Sequence, residues 1–150
     1  MISLKFNEMC DKLKDETVLF RVLNIIGLTI DKSKYEETYI FSNNLDQYLC
    51  CDADLEDLTF YFIDDSCLYK ATYNTNEKCV NINKKYLNHI VSVDLKHKLS
   101  GKKVELSITF VNECDNINIS NLEKDVKGEW LSKEFSDELY NAIIDIYSKI

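Results

Sequence analysis

The chain of 150 residues has no proline, three glycines, one tryptophan, two histidines and a single arginine, Arg21. The glycines, Gly27, Gly101 and Gly128, are too few and too scattered for a P-loop or a dinucleotide-binding fingerprint, both of which need glycines clustered within a few residues. Of the two histidines, His89 and His97, neither is flanked by a serine or cysteine nucleophile motif, so no triad is legible. The longest apolar run, Val22 to Thr29, is interrupted by Asn24 and falls far short of the ~20 residues a membrane-spanning helix needs. The opening MISLKFNEMCDK has neither a basic lead nor a long apolar segment, so a secretory signal is not expected and the cytoplasm is. Absence of proline permits an uninterrupted run of strands.

What the chain does have is core-forming material. Hydrophobic residues make up 45% and charged residues 29%, with seven Phe and nine Tyr. A chain of this length buries about 68–70% of its unfolded surface, so one domain over residues 1–150 is expected to fold without staples. Six cysteines are present, Cys10, Cys50, Cys51, Cys67, Cys79 and Cys114. No C-x-x-C pair occurs, and adjacent Cys50 and Cys51 suit neither ordinary disulfide geometry nor joint zinc ligation, so reduced thiols are expected. The sequon at Asn118 to Ser120 has no role without secretion.

The hydrophobic period changes twice. Phe6, Met9, Cys10 and Leu13, then Val18 or Leu19, Val22, Leu23 and Ile26, follow a 3.6-residue period, which predicts two short helices over residues 3–27. Their break falls near Lys12 to Glu16, with Gly27 as C-cap. From Tyr35 to Ser120 the period is two. Strands are expected at 36–42, 47–51, 58–63, 67–73, 78–82, 90–98, 103–111 and 116–120, separated by Asn- and Asp-rich turns. The stretch SVDLKHKLSGKKVELSITFV reads as a hairpin, with Val91, Val93 and Leu95 facing the core and Gly101 in its loop. Finally Leu131, Phe135, Leu139, Ala142, Ile143, Ile146 and Ile150 form one stripe of a helix over 133–149, with Ser132 as its cap. The expected fold class is α+β. It comprises N-terminal helices in residues 1–30, a strongly bent antiparallel sheet of seven to eight short strands in 35–120, and an amphipathic helix in 132–150 packed on that sheet.

This order resembles the small bacterial members of the pleckstrin-homology-like fold. The resemblance is carried over residues 55–150 by LTFYFIDDSCLYKATY, then VNINKKYLNHIVSVDL, and by the terminal amphipathic helix. It implies a half barrel plugged at one end by that helix. In the family the helix commonly carries a Trp on its inner face, whereas Trp130 is expected just before or at the start of the helix here. Phosphoinositide-binding members use basic residues between the first two barrel strands, where this chain has Asp64 and Asp65. Membrane lipid is therefore not an expected partner.

The net charge of −8 disfavours nucleic acid, and it is unevenly divided. Residues 31–66 hold ten acids and two lysines, residues 67–103 eight lysines and two acids. Lys84, Lys85, Lys96, Lys98, Lys102 and Lys103 could build a surface for an anion or a partner. Basic strands paired with acidic ones explain the same pattern at about 0.2–1 kcal/mol per pair. That explanation is preferred because no aromatic is interleaved with these lysines to stack a base. The run CDADLED, with Asp52, Asp54, Glu56 and Asp57, lacks the Gly and Glu of a calcium loop. No metal and no cofactor is expected. The expected function is a non-catalytic module that binds another protein. Two alternatives are an immunity- or antitoxin-like protein that masks a basic toxin with residues 31–66, and a thiol-dependent hydrolase using Cys79 or Cys114 with His89 or His97.

Overall fold

In the computed structural model, which describes residues 2–42, 45, 57–111, 116–122 and 133–150, the chain opens with a strand and not with a helix. Strand β1 (Ile2–Lys5) pairs antiparallel with β2 (Tyr39–Ser42), Leu4 opposite Ile40, and both of these side chains are buried. A four-residue strand holds too little alternation to be read without its partner, which is why helical periodicity at residue 3 was misleading. Helices α1 (Phe6–Lys12) and α2 (Thr17–Gly27) follow, with the break where expected. Phe6, Met9, Leu13, Leu19, Val22, Leu23 and Ile26 are buried, while Val18 is exposed.

Gly27 acts differently from a left-handed cap. It is the last residue of α2, and the C-cap after it, Leu28, has ordinary right-handed helical angles. What Gly27 supplies is space: a Cβ there would lie 2.8 Å from Phe6 Cζ and 3.2 Å from the Tyr35 hydroxyl. That hydroxyl donates to the Gly27 carbonyl at 2.8 Å, and the Tyr35 ring meets Phe6 edge-on at 4.6 Å.

The remaining strands are β3 (Leu58–Ile63), β4 (Cys67–Asn74), β5 (Cys79–Tyr86), β6 (Ile90–His97), β7 (Val104–Phe110) and β8 (Ile117–Ser120). The expected strand at 47–51, the cap at Ser132, Leu131 and Trp130 lie outside the described residues. The α+β class and the antiparallel pairing are as expected. The strands divide into a five-stranded sheet in the order β1-β2-β3-β4-β5 and a three-stranded sheet in the order β6-β7-β8. They part at a single 3-10 turn, Leu87–His89. Two backbone bonds tie that corner, from Leu87 N–H to the Ser66 carbonyl at 2.9 Å and from Val111 N–H to the His89 carbonyl at 2.8 Å.

In β7 the alternation is complete, with Val104, Leu106, Ile108 and Phe110 buried. In β6 a register shift between Ile90 and Ser92 breaks it. An extra residue reverses the facing of what precedes it, so Ile90, Val93 and Leu95 are half-buried and Val91 is 62% exposed, against expectation.

Helix α3 (Lys133–Lys149) buries Leu139, Ala142, Ile143 and Ile146. It packs against β1 of one sheet and β7 and β8 of the other, so it joins the two sheets. Each large side chain on that stripe is worth about 1.5–3 kcal/mol at full burial. No described helix is long and apolar enough to cross a membrane.

Candidate functional site

Strand β5 ends the larger sheet, and among the described residues it pairs with β4 alone, in unbroken register from Cys67 opposite Tyr86 to Asn74 opposite Cys79. Alternation puts Val80, Ile82, Lys84 and Tyr86 on one face and Cys79, Asn81, Asn83 and Lys85 on the other. Beside the second set lies a groove of about 500 Å³, lined by Lys70 and Thr72 of β4, Asn81, Asn83 and Lys85 of β5, and the carboxylates of Asp57 and Glu77. The β4–β5 turn contains no glycine. Asn74 Oδ1 closes it by accepting from the N–H groups of Asn76 at 3.0 Å and Glu77 at 2.8 Å, and Lys78 takes a left-handed φ of 53°.

The six lysines singled out from the sequence fall into two groups. Lys84 and Lys85 stand on β5. The Lys84 ammonium lies 5.6 Å from the centre of the Tyr69 ring and that of Lys85 lies 5.4 Å from Phe110. The other four belong to the β6–β7 hairpin. Lys96 is opposite Glu105, Lys98 N–H closes the tip on the Lys103 carbonyl at 2.9 Å, and Lys102 lies 5.8 Å from the Tyr140 ring of α3. Lys103 Nζ donates to the Asn121 carbonyl at 3.3 Å. Aromatic partners are thus present, contributed by other strands and by α3. Reading neighbours along the sequence could not find them.

Nothing in the residue pattern singles out Asn121. It is buried just past β8, where Oδ1 accepts from Val104 N–H at 2.8 Å and Nδ2 donates to the Lys102 carbonyl at 2.6 Å. It carries the β7–β8 ladder one step further. From the opposite side, His97 Nε2 lies 3.2 Å from the Tyr140 hydroxyl while Nδ1 lies 2.8 Å from the Lys98 carbonyl. The hairpin tip is therefore held to α3 and to β8.

A second hollow, of about 300 Å³, opens where Thr29, Asp31 and Lys34 meet the β3–β4 turn. Asp64 organises that turn: Oδ1 accepts from Ser66 N–H at 2.9 Å and Cys67 N–H at 2.8 Å, and Oδ2 accepts from the Tyr69 hydroxyl at 2.6 Å. Burial pushes the Asp64 carboxyl up, but the Tyr69, Ser66 and Cys67 hydrogen bonds outweigh it and hold the group below the usual carboxylate range. Burial and the same carboxylate push the Tyr69 phenol well above its ordinary value. Its ring stacks on Phe62 at 4.7 Å. Asp31 repeats the device at 3.0 Å from Ser33 N–H, and Asp65 pairs with Lys34 at 3.5 Å. Internal partners thus account for these acids. The repeated Asp-x-Ser spacing, DKS and DDS, was the signal available for both turns.

The thiol chemistry finds no support among the described cysteines. Partial desolvation and the Glu77 carboxylate 3.5 Å away push the exposed Cys79 thiol up, which disfavours the nucleophilic thiolate. Cys10 is raised by burial and by Asp11, and Cys67 is buried. Cys114 lies outside the described residues. His97 has the partners given above, and the His89 ring meets Tyr86 at 5.8 Å. Among the described residues no group of three or more His, Cys, Asp or Glu is placed to hold a metal ion. No protein-family model, curated protein or solved structure matches this chain.

Proposed function

We propose that the chain is a non-catalytic, cytoplasmic interaction module of pleckstrin-homology-like build that binds another protein along an exposed sheet edge. The observation that carries this reading is the pair of outer strands: among the described residues β5 and β6 each end a sheet, and most residues of both are exposed. A sheet edge presents a row of backbone donors and acceptors, which an extended segment of a partner can satisfy. The pleckstrin-homology-like build is supported by a run of antiparallel strands followed by an amphipathic helix. A phosphoinositide role is not carried over with it, because the β3–β4 turn presents Asp64 and Asp65 where such a site would need cations.

The test is to pass a lysate over the immobilised protein at low and high salt, and to assay the purified protein for turnover of common metabolites. Stoichiometric retention of one protein without turnover is the expected result. Turnover that survives repurification would overturn the reading.

A further inference from the structure

We propose that β5 is the recognition edge and that its occupant is an extended acidic segment of a partner protein, which adds to the larger sheet as a sixth strand. The inference rests on the interaction-module reading and narrows it to one edge and one chemistry. Among the described residues four strands end the two sheets, namely β1, β5, β6 and β8. Strands β1 and β8 lie against α3, and β8 is largely buried. Strand β6 carries the irregularity between Ile90 and Ser92, and such a bulge interrupts the regular row of donors and acceptors that a new strand must match. Strand β5 touches α2, but it is mostly exposed, eight residues long, and without a register shift along its pairing with β4. Fully paired, it offers about 26 Å of edge at about 3.3 Å per residue.

Charge selects the occupant. In a protein of net charge −8, this edge and its turn carry Lys78, Lys84 and Lys85, with Lys70 across the groove opposite Asn83. Asp57 and Glu77 oppose them in part. Lys84 and Lys85 point to opposite faces and are positioned over Tyr69 and Phe110, so part of the cost of fixing their long side chains is met before a ligand arrives. On the groove side, Asn81, Asn83 and Thr72 offer amide and hydroxyl groups to polar side chains. On the other side, Val80 and Ile82 are half-buried against the core and continue as an apolar margin. An added strand that alternates acidic with apolar residues satisfies both faces at once.

The probe is a fluorescent peptide of alternating glutamate and valine, as long as β5, tested by anisotropy against the full chain. Its counterparts are a lysine–valine peptide and two peptides N-methylated at alternate amides in the two possible phases. Strand addition uses one phase of amides only, so one methylated peptide should lose binding and the other keep it. The lysine peptide should fail, and bound peptide should slow amide exchange along β5. Lys70→Glu should weaken binding about fivefold to tenfold, and Lys70→Gln by less. Equal behaviour of the two methylated peptides, equal binding of the lysine peptide, or unchanged exchange in β5 would overturn the proposal. So would β5 protection that rises with protein concentration alone, which would assign the edge to a second copy. Failure of the peptides while salt-sensitive capture of a partner persists removes this inference and leaves the interaction-module reading standing.

Discussion

Single side chains here perform work that other chains assign to glycine and proline. Lys78 holds a left-handed φ that costs a non-glycine residue about 1 kcal/mol. Lys78→Gly is expected to raise stability by about 0.5 kcal/mol or more, read as a shift in urea midpoint. Gly27→Ala should act in the opposite sense, costing about 1–2 kcal/mol, because the new methyl group meets the buried Phe6 ring. Asp64 makes stability depend on acid. Its folded-state carboxyl lies below the ordinary range, so its contribution is complete above about pH 4–5 and is lost as pH falls through the folded value. Asp64→Asn should therefore be less stable than the parent at pH 7, with a gap that narrows from about pH 5 towards pH 2 in urea titrations. An unchanged gap would remove the carboxylate from that account. Asp64 fell in an expected Asp-rich turn between β3 and β4, but what its carboxylate holds was not legible, because its partners are the N–H groups of Ser66 and Cys67 and the more distant Tyr69 hydroxyl.

Elements with long, regular patterns were legible and short or irregular ones were not. The period-3.6 stripe gave α3 its bounds, and the Val104 to Phe110 alternation gave β7 its inward face. Strand β1 was missed because its four residues acquire meaning only beside Tyr39–Ser42. Val91 was misassigned because a bulge changes facing without changing composition. Lys96, Lys98, Lys102 and Lys103 were correctly placed on a hairpin, yet its attachment to α3 through His97, Lys102 and Tyr140 joins residues far apart in the chain. Asn121→Ala should leave two backbone groups of that hairpin without partners and cost about 1–3 kcal/mol. Hydrogen exchange would register the loss first at Lys102 to Val104, while amides of β3 and β4 stay protected.

At the scale of the whole molecule, α3 is the element both sheets share. Ile143→Asp would place a charge without a partner in the interior and should unfold both sheets in one transition, by circular dichroism and by tyrosine fluorescence alike. Lys98→Ala, at the hairpin tip, should change stability by no more than about 0.5 kcal/mol. Separate melting of the two sheets would contradict the joining role of α3. The acidic and basic segments of the sequence do not become two separate bodies: Lys70 and Lys84 stand in the same sheet as β3, whose two ends are flanked by Asp57 and Asp64.

The contact between β1 and α3 also has a temporal side. Residues 2–5 are made before their helical neighbour at 133–149, which follows every described strand. Until then the β1 end of the larger sheet and the inner face of the smaller one remain uncovered, and the last long-range contact must close across nearly the whole chain. Nascent chains of this protein are thus expected to need shielding until residues 133–149 can reach β1.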